Sequence, residues 1–416
     1  MNVTLEPVIG GSYKELPELS VTERTVVGLL LEHGSLSRTT IAELLDTSRA
    51  SVTTLVGNLL EMDVLTEVGH AKSDGGRRPS LLDINPGLGY IAGVDMGATS
   101  VDLALADFSG TILDRRSEAA DVRGEPEDLL CEINDLVSEM LVKQGADESN
   151  LVGLGMGVPG PVLYPTGLLI RPPLMPAWDG FPIKDFIRNR FPVVRPVIDN
   201  DVNIMAIGEA RMGGGVGLDN FFYIKIGTGI GCGIIVNGEI YRGSDGCAGD
   251  VGHICVDYNG PICHCGNNGC LEFMAAGPAI AENARLAAKN GQSELLAQRL
   301  ENNQGHLTSI DVGEVAAAGD QAANKIIYES GRVIGGVLAG LVNFINPQAI
   351  FIGGGVSNIG HQLLSTIRQA TLRRATALST RSLRIDYSNL GSDAGIQGAI
   401  WLALENAFVP AETTTI

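Results

Sequence analysis

Apolar residues in the first ninety positions recur at helical spacing in three short segments. These segments read VTERTVVGLLLEHG, SLSRTTIAELLD and SRASVTTLVGNLLEM, and the second opens with a serine suited to cap a helix. The residues predicted to face the interior are Val26, Val27, Leu29, Leu30, Leu31, Ile41, Leu44, Leu45, Val52, Leu55, Leu59 and Met62. The next stretch, VLTEVGHAKSDGGRRPSLLDI, reads as two strands around a glycine-rich, basic tip. Three helices and a hairpin in this order predict a winged helix-turn-helix domain over residues 20–85.

The sequence pattern of residues 90–416 predicts two α/β halves. Residues 1–19 are expected to form a flexible tail, and NPGLG at residues 86–90 reads as a linker. The stretches YIAGVDMGATSVDLALADFSGTILDRRSE and NFFYIKIGTGIGCGIIVNGEIYRG both alternate like hairpins with glycine-rich turns. Each half also contains a buried strand that runs into glycines, LVGLGMGVPG and QAIFIGGGVS. We therefore predict an internal duplication over residues 90–416, with a cleft between two lobes.

Composition narrows the class of protein. The chain has 416 residues, of which 44% are hydrophobic and 19% charged, as expected for a globular protein with more than one domain. Neither a secretory signal nor an apolar run of membrane-spanning length is visible, so we expect a cytoplasmic location. The net charge of −19 argues against broad, sequence-independent binding to nucleic acid or to an anionic membrane.

Three cysteines and one histidine form the most specific chemical pattern. In GPICHCGNNGC, Cys263, Cys265 and Cys270 lie within eight residues, and His253 precedes them by ten. Four nitrogen and sulfur ligands are the usual complement of a closed tetrahedral zinc site. A disulfide is disfavoured in a reducing compartment, and so tight a cluster argues against unrelated structural cysteines. We therefore predict a structural zinc ion.

A local basic patch accompanies the predicted winged helix. Residues 1–90 contain seven Lys/Arg against twelve Asp/Glu, yet three of the seven, Lys72, Arg77 and Arg78, lie at the tip of the wing. The third helix begins with polar residues where a recognition helix would meet DNA, namely Ser48, Arg49, Ser51, Thr53 and Thr54. A solvated charged turn, or a helical domain that docks a protein, is the alternative interpretation.

Glycine-rich turns and one acidic turn are further candidates for binding. The turn that contains Asp95, Gly97 and Thr99 could present backbone N–H groups and a hydroxyl to a phosphate. Turns with the same potential contain Gly227, Thr228 and Gly229 in the second half and Gly354 and Gly355 near its end. Asp199, Asn200 and Asp201 follow a strand and suit a polyol, and one Asp could act as a general base. From spacing alone, an Asx-rich turn or cap is the better explanation of that triplet.

With these motifs assembled, the chain resembles the ROK family (repressors, open reading frames and sugar kinases), and specifically its transcriptional regulators. The stretch GHICVDYNGPICHCGNNGCLE looks like the family's zinc signature, and GGRRPSLL is similar to the wing of its repressors. The motifs GVPGPV, DNDVN, GTGIGCG and IGGGVS match in the same order, so the resemblance covers about residues 20–405. It implies an actin-like, sugar-kinase-like α/β fold behind the winged helix, with a sugar bound between the two lobes.

The resemblance also implies roles for individual residues. Asp201 matches the catalytic or sugar-binding aspartate, with Asn200 beside it. His253 matches a residue that both binds zinc and reaches the sugar, and Glu272 matches another sugar contact. Asp250 stands where the family carries a glutamate. On this interpretation the zinc ion shapes the sugar pocket without taking part in chemistry.

Two departures from the family's kinases weigh against phosphoryl transfer. Ala98 replaces the second glycine of the first phosphate turn, and Leu174 stands where kinases carry a sugar-binding asparagine. We therefore expect a sugar-responsive DNA-binding regulator, a repressor, that acts as a homodimer or homotetramer on operator DNA and takes a sugar or sugar phosphate as effector. An ATP-dependent sugar kinase with Mg²⁺ and Asp201 as general base remains one alternative. A winged helix that docks a partner protein is the other.

Overall fold

The computed structural model describes residues 15–70 and 78–409, and its N-terminal part is a winged helix-turn-helix. Three helices and a small sheet follow one another as α1 (Val21–His33), β1 (Leu36–Ser37), α2 (Arg38–Leu44), α3 (Arg49–Glu61), β2 (Leu65–His70) and β3 (Ser80–Ile84). The strand order is β1-β3-β2, and both pairings are antiparallel. The short strand β1 was not expected from the sequence, because two residues carry no periodicity.

Local capping and an apolar interior explain these helices. The hydroxyl of Ser20 accepts a hydrogen bond from the Glu23 backbone N–H at 3.3 Å, and the Glu23 carboxylate accepts one from the Ser20 N–H at 2.9 Å. The helices bury Val26, Val27, Leu30, Ile41, Val52, Val56 and Leu59. The expectation for Leu44 is wrong: its side chain is 47% exposed, because α2 ends there and buries Ile41 and Ala42 instead.

The first lobe is a five-stranded sheet with helices on its faces. Its elements are β4 (Tyr90–Met96), β5 (Ser100–Asp107), β6 (Ile112–Ala119), α4 (Pro126–Lys143), β7 (Leu151–Val158), α5 (Ile183–Arg190) and β10 (Arg195–Asn200), with the ribbon β8 (Val162–Leu163) and β9 (Leu168–Leu169) at one edge. The strand order is β10-β7-β4-β5-β6. Strands β4, β7 and β10 are parallel, and β5 and β6 complete an antiparallel meander.

The second lobe has the same sheet topology. Its strands are β11 (Phe221–Ile226), β12 (Ile230–Val236), β13 (Glu239–Ile240), β14 (Ala349–Gly353) and β15 (Arg384–Tyr387), in the order β13-β12-β11-β14-β15. Its helices are α7 (Leu271–Ala275), α8 (Gly277–Lys289), α9 (Glu294–Asn302), α10 (Ser309–Ala317), α11 (Gln321–Ile345) and α12 (His361–Arg374). An antiparallel meander followed by two parallel strands occurs in both lobes, as the predicted duplication requires.

Two helices join the lobes. Helix α6 (Asp201–Met212) packs on β11 and β12, and α13 (Asp393–Asn406) packs on β4 and β7. The two helices approach so closely that a Cβ added to Gly398 would lie 1.6 Å from the Ile204 carbonyl oxygen. A Cβ on Gly208 would lie 2.2 Å from the carbonyl oxygen of Ala394. Only glycine permits this backbone contact.

The winged helix packs against the first lobe and does not stand apart from it. Trp401, Leu404 and Phe408, at the end of α13, belong to the same buried cluster as the interior of the winged helix. The predicted linker forms a short 3-10 turn whose Leu88 is only 2% exposed in that cluster. Of the predicted tail, residues 1–14 lie outside the described residues, and Leu19 is buried.

Candidate functional site

A cleft between the two lobes brings together most of the predicted binding residues. Its cavity measures about 350 Å³. The first lobe contributes Ala98, Arg171, Leu174, Asn200, Asp201 and Asn203, and the second contributes Lys225, Thr228, Gly229, Asp250, His253 and Glu272. Polar groups that converge from two lobes on a space of this size are typical of a small-molecule site.

Asn200 and Asp201 occupy the start of α6. The Asn200 side-chain oxygen accepts a hydrogen bond from the Val202 N–H at 3.0 Å, and its amide donates to the Gly160 carbonyl oxygen at 2.9 Å. Asn200 is therefore a helix cap, as the alternative interpretation of the triplet held. Asp201 follows it, is only 7% exposed, and lines the cavity with Asn200.

Lys225 is the partner of Asp201, and sequence reasoning missed it. The ammonium group of Lys225, on β11 of the second lobe, donates a hydrogen bond to the Asp201 carboxylate. Burial works against the charge of Lys225, but Asp201 and Asp95 outweigh that effect and raise its pKa above the ordinary value. The signal in the sequence was a single charged residue inside the apolar strand FFYIKI.

A second ion pair crosses from lobe to lobe beside the cleft. The Arg242 guanidinium donates to the Asp199 carboxylate at 2.8 Å and lies 3.9 Å from the centre of the Tyr164 ring. Asp199 also accepts a hydrogen bond from the Asn203 amide at 2.8 Å. Asp199 is 1% exposed, so the first acidic residue of the predicted triplet is structural and faces away from solvent.

His253 and Glu272 come from the segment that carries the cysteines. The Glu272 carboxylate accepts a hydrogen bond from the Ile230 N–H at 3.0 Å and lies against Gly229, where an added Cβ would be 2.4 Å away. The Nε2 atom of His253 is 3.9 Å from the Asp250 carboxylate. All three of these side chains line the cavity.

The predicted metal ligands converge in space. One ligand atom each from His253, Cys263, Cys265 and Cys270 lies within 4.8 Å of the others. The Cys265 and Cys270 sulfurs are 3.6 Å apart, and the Cys263 sulfur is 3.7 Å from the Nδ1 atom of His253. Thiolates around a tetrahedral zinc ion are separated by about 3.8 Å, given Zn–S bonds of about 2.3 Å. The donor set and spacing therefore fit a metal ion, and the sulfurs are too far apart for a disulfide.

The candidate phosphate turns differ in their access to the cleft. Gly97 lies in the turn between β4 and β5, where its N–H donates to the Ser100 carbonyl oxygen at 2.8 Å, and exposed Thr99 lies in the same turn. Thr228 and Gly229 line the cavity, and Gly227 precedes them. Gly354 has a φ of +84° and lies against the Ile226 carbonyl oxygen, beside open Gly355.

Asp95 is a buried carboxyl group at the end of β4. It is 7% exposed, and one of its oxygens accepts no hydrogen bond from any described residue. Burial raises its pKa to about 7, against the opposing effect of Lys225 and with further contributions from Asp201 and Asp102. The other oxygen lies where α13 passes, 1.8 Å from the position of an added Cβ on Gly395.

The predicted DNA-binding residues of α3 lie on an exposed face. Ser48 caps the helix through the Ser51 N–H at 3.1 Å, so its hydroxyl has a structural role as well. Arg49, Ser51 and Thr54 are exposed. In the wing, Arg78 is exposed, whereas Lys72 and Arg77 lie outside the described residues.

A groove of about 490 Å³ separates α1 from α13. It contains the Arg211–Glu405 ion pair, with 2.7 Å between the two groups, at the seam between winged helix and lobes. None of the predicted binding residues lines this groove. Within residues 15–70 and 78–409, no helix has the length and hydropathy needed to cross a bilayer.

Comparison with known proteins identifies one matching family and two kinds of similar protein, repressors and sugar kinases. The model of the ROK family matches residues 91–406. A protein named "Putative xylose repressor" of Caldicellulosiruptor sp. (strain Rt8B.4) is 30% identical over 391 residues, which span 93% of this chain and 96% of that protein. A glucokinase of Halalkalibacterium halodurans is 34% identical over 316 residues, 75% of this chain and 94% of the kinase.

One solved structure shares the whole architecture. It is described as a ROK family transcriptional regulator, a homolog of the E. coli MLC protein, and it superposes with a TM-score of 0.80. The match covers 93% of this chain and 97% of that one at 24% sequence identity, a level that supports the fold alone.

Proposed function

The chain belongs to the ROK family, and on that premise we propose that it is a sugar-responsive, DNA-binding transcriptional repressor. The observation that carries the proposal is the extent of the matches. The repressor aligns over 93% of this chain, whereas the glucokinase aligns over 75% and is itself covered to 94%. The kinase is therefore too short to contain a counterpart of the N-terminal winged helix, whereas the repressor is long enough to contain one.

The winged helix supplies the surface for operator DNA. Helix α3 presents Arg49, Ser51 and Thr54 to solvent from its N-terminal half, where a recognition helix contacts base edges and phosphates. Because the whole chain carries a net charge of −19, which repels DNA, binding must be confined to this face and the wing. A homodimer or homotetramer would present two such helices to a two-fold-symmetric operator.

The effector is a sugar or sugar phosphate in the cleft. Asn200, Asp201, Asp250, His253 and Glu272 offer carboxylates, an amide and an imidazole, the groups that bind sugar hydroxyls. Zinc, held by His253 and the three cysteines, would order the segment that carries Glu272 and set the orientation of the imidazole. The metal has four protein ligands, so its role is structural.

Sugar and DNA sites are linked by two helices. Asp201 is the first residue of α6, α6 packs on α13 through Gly208 and Gly398, and the end of α13 packs on the winged helix. A sugar that prefers one relative position of the lobes would therefore shift the orientation of the winged helices. The coupling is part of the proposal and rests on this packing.

Direct DNA binding tests the proposal. Fluorescence anisotropy at a stated salt concentration would use the region upstream of the protein's own gene, with and without a panel of pentoses, hexoses, amino sugars and their phosphates. We expect specific binding that one sugar releases. Absence of binding under every condition would contradict the proposal and favour a winged helix that docks a protein.

A matched pair of variants locates the surface. Arg49→Ala should weaken operator binding roughly tenfold and lower the slope of affinity against salt by about one unit. Arg373→Ala, at an exposed position of α12 in the second lobe, should leave both unchanged. Equal effects of the two substitutions would exclude α3 as the DNA-binding face.

A sugar kinase is the second candidate, because Asp201 and the cleft are retained. Catalysis would require ATP with Mg²⁺ and a free carboxylate at Asp201 to accept the hydroxyl proton. The residues fit poorly: Ala98 lines the cavity, Leu174 offers no hydrogen bond to a sugar, and Lys225 is bonded to Asp201. An assay of ADP release over the same sugar panel should therefore show no turnover.

A further inference from the structure

Three ionisable residues interact at the cleft: Asp201 and Lys225 line it, and Asp95 is buried beside them. Asp95 is the penultimate residue of β4 and Asp201 is the first residue of α6, whereas Lys225 lies on β11 of the second lobe. Lys225 is bonded to Asp201 and is also influenced by the charge of Asp95. The Asp201 and Lys225 side chains are 9% and 20% exposed. Charges with so little access to water persist only with opposite charges nearby, and Lys225 interacts with both acidic residues.

Asp95 lacks the partners that a buried carboxylate normally has. One oxygen has no hydrogen-bond donor among the described residues, and α13 at Gly395 closes off the other side. Lys225 interacts with both Asp95 and Asp201, but its hydrogen bond goes to Asp201. The unpartnered oxygen is the kind of group that a bound cation would satisfy.

A divalent cation that assists phosphoryl transfer is held by carboxylate oxygens. Asp201, which lines the cleft, and Asp95, which is buried beside it, come from different elements and offer such oxygens. Here the ammonium of Lys225 already supplies the positive charge, and it holds the carboxylate that would have to act as a base. We propose that Lys225 takes the place of a divalent cation between Asp95 and Asp201, so that the cleft binds its sugar without Mg²⁺-nucleotide and without phosphoryl transfer.

This inference deepens the proposed function, on whose sugar-binding cleft it rests. Lys225 makes the retained Asp201 a ligand-binding residue that cannot serve as a general base. It also gives a physical reason why a chain with a kinase-like cleft would report on a sugar without consuming it. The hydrogen bond between Lys225 and Asp201 joins the two lobes, so Lys225 both neutralises the Asp201 carboxylate and links the two sides of the cleft.

Titration with Mn²⁺, followed by electron paramagnetic resonance on the zinc-loaded full chain, tests the inference. Lys225→Gln retains a hydrogen-bond donor for Asp201 and removes the charge, and Lys225→Met removes both. Each variant should gain one Mn²⁺ site that binds at least tenfold more tightly than any site of the wild type. A second substitution, Asp201→Asn, should abolish that gain.

The matched control is Lys143→Met. Lys143 is bonded to Asp114 at 2.7 Å on the outside of the first lobe, so this change also removes an ammonium from a carboxylate, but far from the cleft. Lys143→Met therefore measures the weak, unspecific binding of Mn²⁺ to an acidic protein. Its affinity for Mn²⁺ should equal that of the wild type.

Two results would overturn the inference. One is a cleft variant that folds, judged by circular dichroism and gel filtration, and binds Mn²⁺ no better than the control. The other is tight Mn²⁺ binding by the wild-type protein that the Asp201→Asn substitution abolishes. This second result can be obtained even if the Lys225 variants do not fold. Operator binding is measured separately on the wild type, so a failure of the repressor proposal is distinguishable from a failure of this one.

Discussion

At the scale of single residues, the chemistry of this protein depends on charges whose partners lie far away in sequence. Lys225 interrupts an apolar strand, and its position alone marks it as unusual. Only the packing of the two lobes shows that Lys225 is bonded to Asp201. The same packing places Asp95 nearby, with one oxygen that has no hydrogen-bond partner among the described residues. The four residues of the candidate metal cluster are different, because three of them lie within eight residues and their spacing already implies proximity.

The metal cluster yields a prediction about composition. Purified protein should contain about one zinc ion per chain, since four ligands form a closed site. Cys270→Ser should lower that content below about 0.2 ions per chain and weaken sugar binding, because the segment that carries Glu272 loses its anchor. Elemental analysis and calorimetry measure the two effects. Cys131→Ser, at an exposed free cysteine of α4, is the control, and full zinc retention in Cys270→Ser would refute the site.

Asp95 makes stability depend on pH. Its pKa is about 7 in the folded protein against about 4 unfolded, so the native state holds a proton that the unfolded state releases. The free energy of unfolding therefore decreases by an amount on the order of a few kcal/mol as the pH rises from about 4 to about 7. Asp95→Asn keeps the shape and removes this loss.

The measurement for Asp95 is urea unfolding of wild type and Asp95→Asn across that pH range. The difference in free energy, variant minus wild type, should increase with pH and level off above about pH 7. Other carboxylates contribute equally to both proteins and cancel. A difference that is independent of pH would show that Asp95 is ionised throughout.

At the scale of elements, close contact between helices requires particular small residues. Helices α6 and α13 meet backbone to backbone at Gly208 and Gly398, so the two lobes are joined by a closely packed pair of helices. The same contact connects the cleft, where α6 begins, to the winged helix, which packs on the end of α13. Glycines inside a helix are usually unfavourable, and here the contact accounts for them.

Substitution at that contact should therefore be costly. Gly398→Ala places a methyl group 1.6 Å from the Ile204 carbonyl oxygen, and separating the helices should lower the free energy of unfolding by about 3 kcal/mol or more. Gly340→Ala, inside α11 with open space around it, should raise it by about 0.5–1 kcal/mol. Chemical denaturation measures both values. Similar effects at the two positions would contradict the proposed helix contact.

At the scale of the molecule, two buried ion pairs and one shared core hold three units together. Lys225–Asp201 and Arg242–Asp199 both cross from the second lobe to the first. Leu88 and Phe408 belong to a core that extends from the winged helix into the first lobe. The relative positions of lobes and winged helix are thus set by these ion pairs, by the contact between α6 and α13 and by the shared core.

The Arg242 pair supports a prediction at this scale. Arg242→Ala leaves Asp199, 1% exposed, without its cation and should lower the free energy of unfolding by about 2–4 kcal/mol. Arg188→Ala, which removes an exposed pair with Asp185, should change it by less than about 0.5 kcal/mol. Thermal unfolding measures both. A loss at Arg242 no larger than at Arg188 would show that the pair does not hold the lobes.

The sequence by itself determined the three helices and the hairpin of the winged helix, the duplicated halves and the cluster of His253 with three cysteines. These features depend on periodicity and on short spacing, which are local and can be read along the chain. Tertiary structure alone decided the partners of buried charges: Lys225 for Asp201 and Arg242 for Asp199. It also decided that Leu88 is buried and that the winged helix packs on α13. Coulombic attraction and packing act through space between residues distant in sequence, so no local pattern records them.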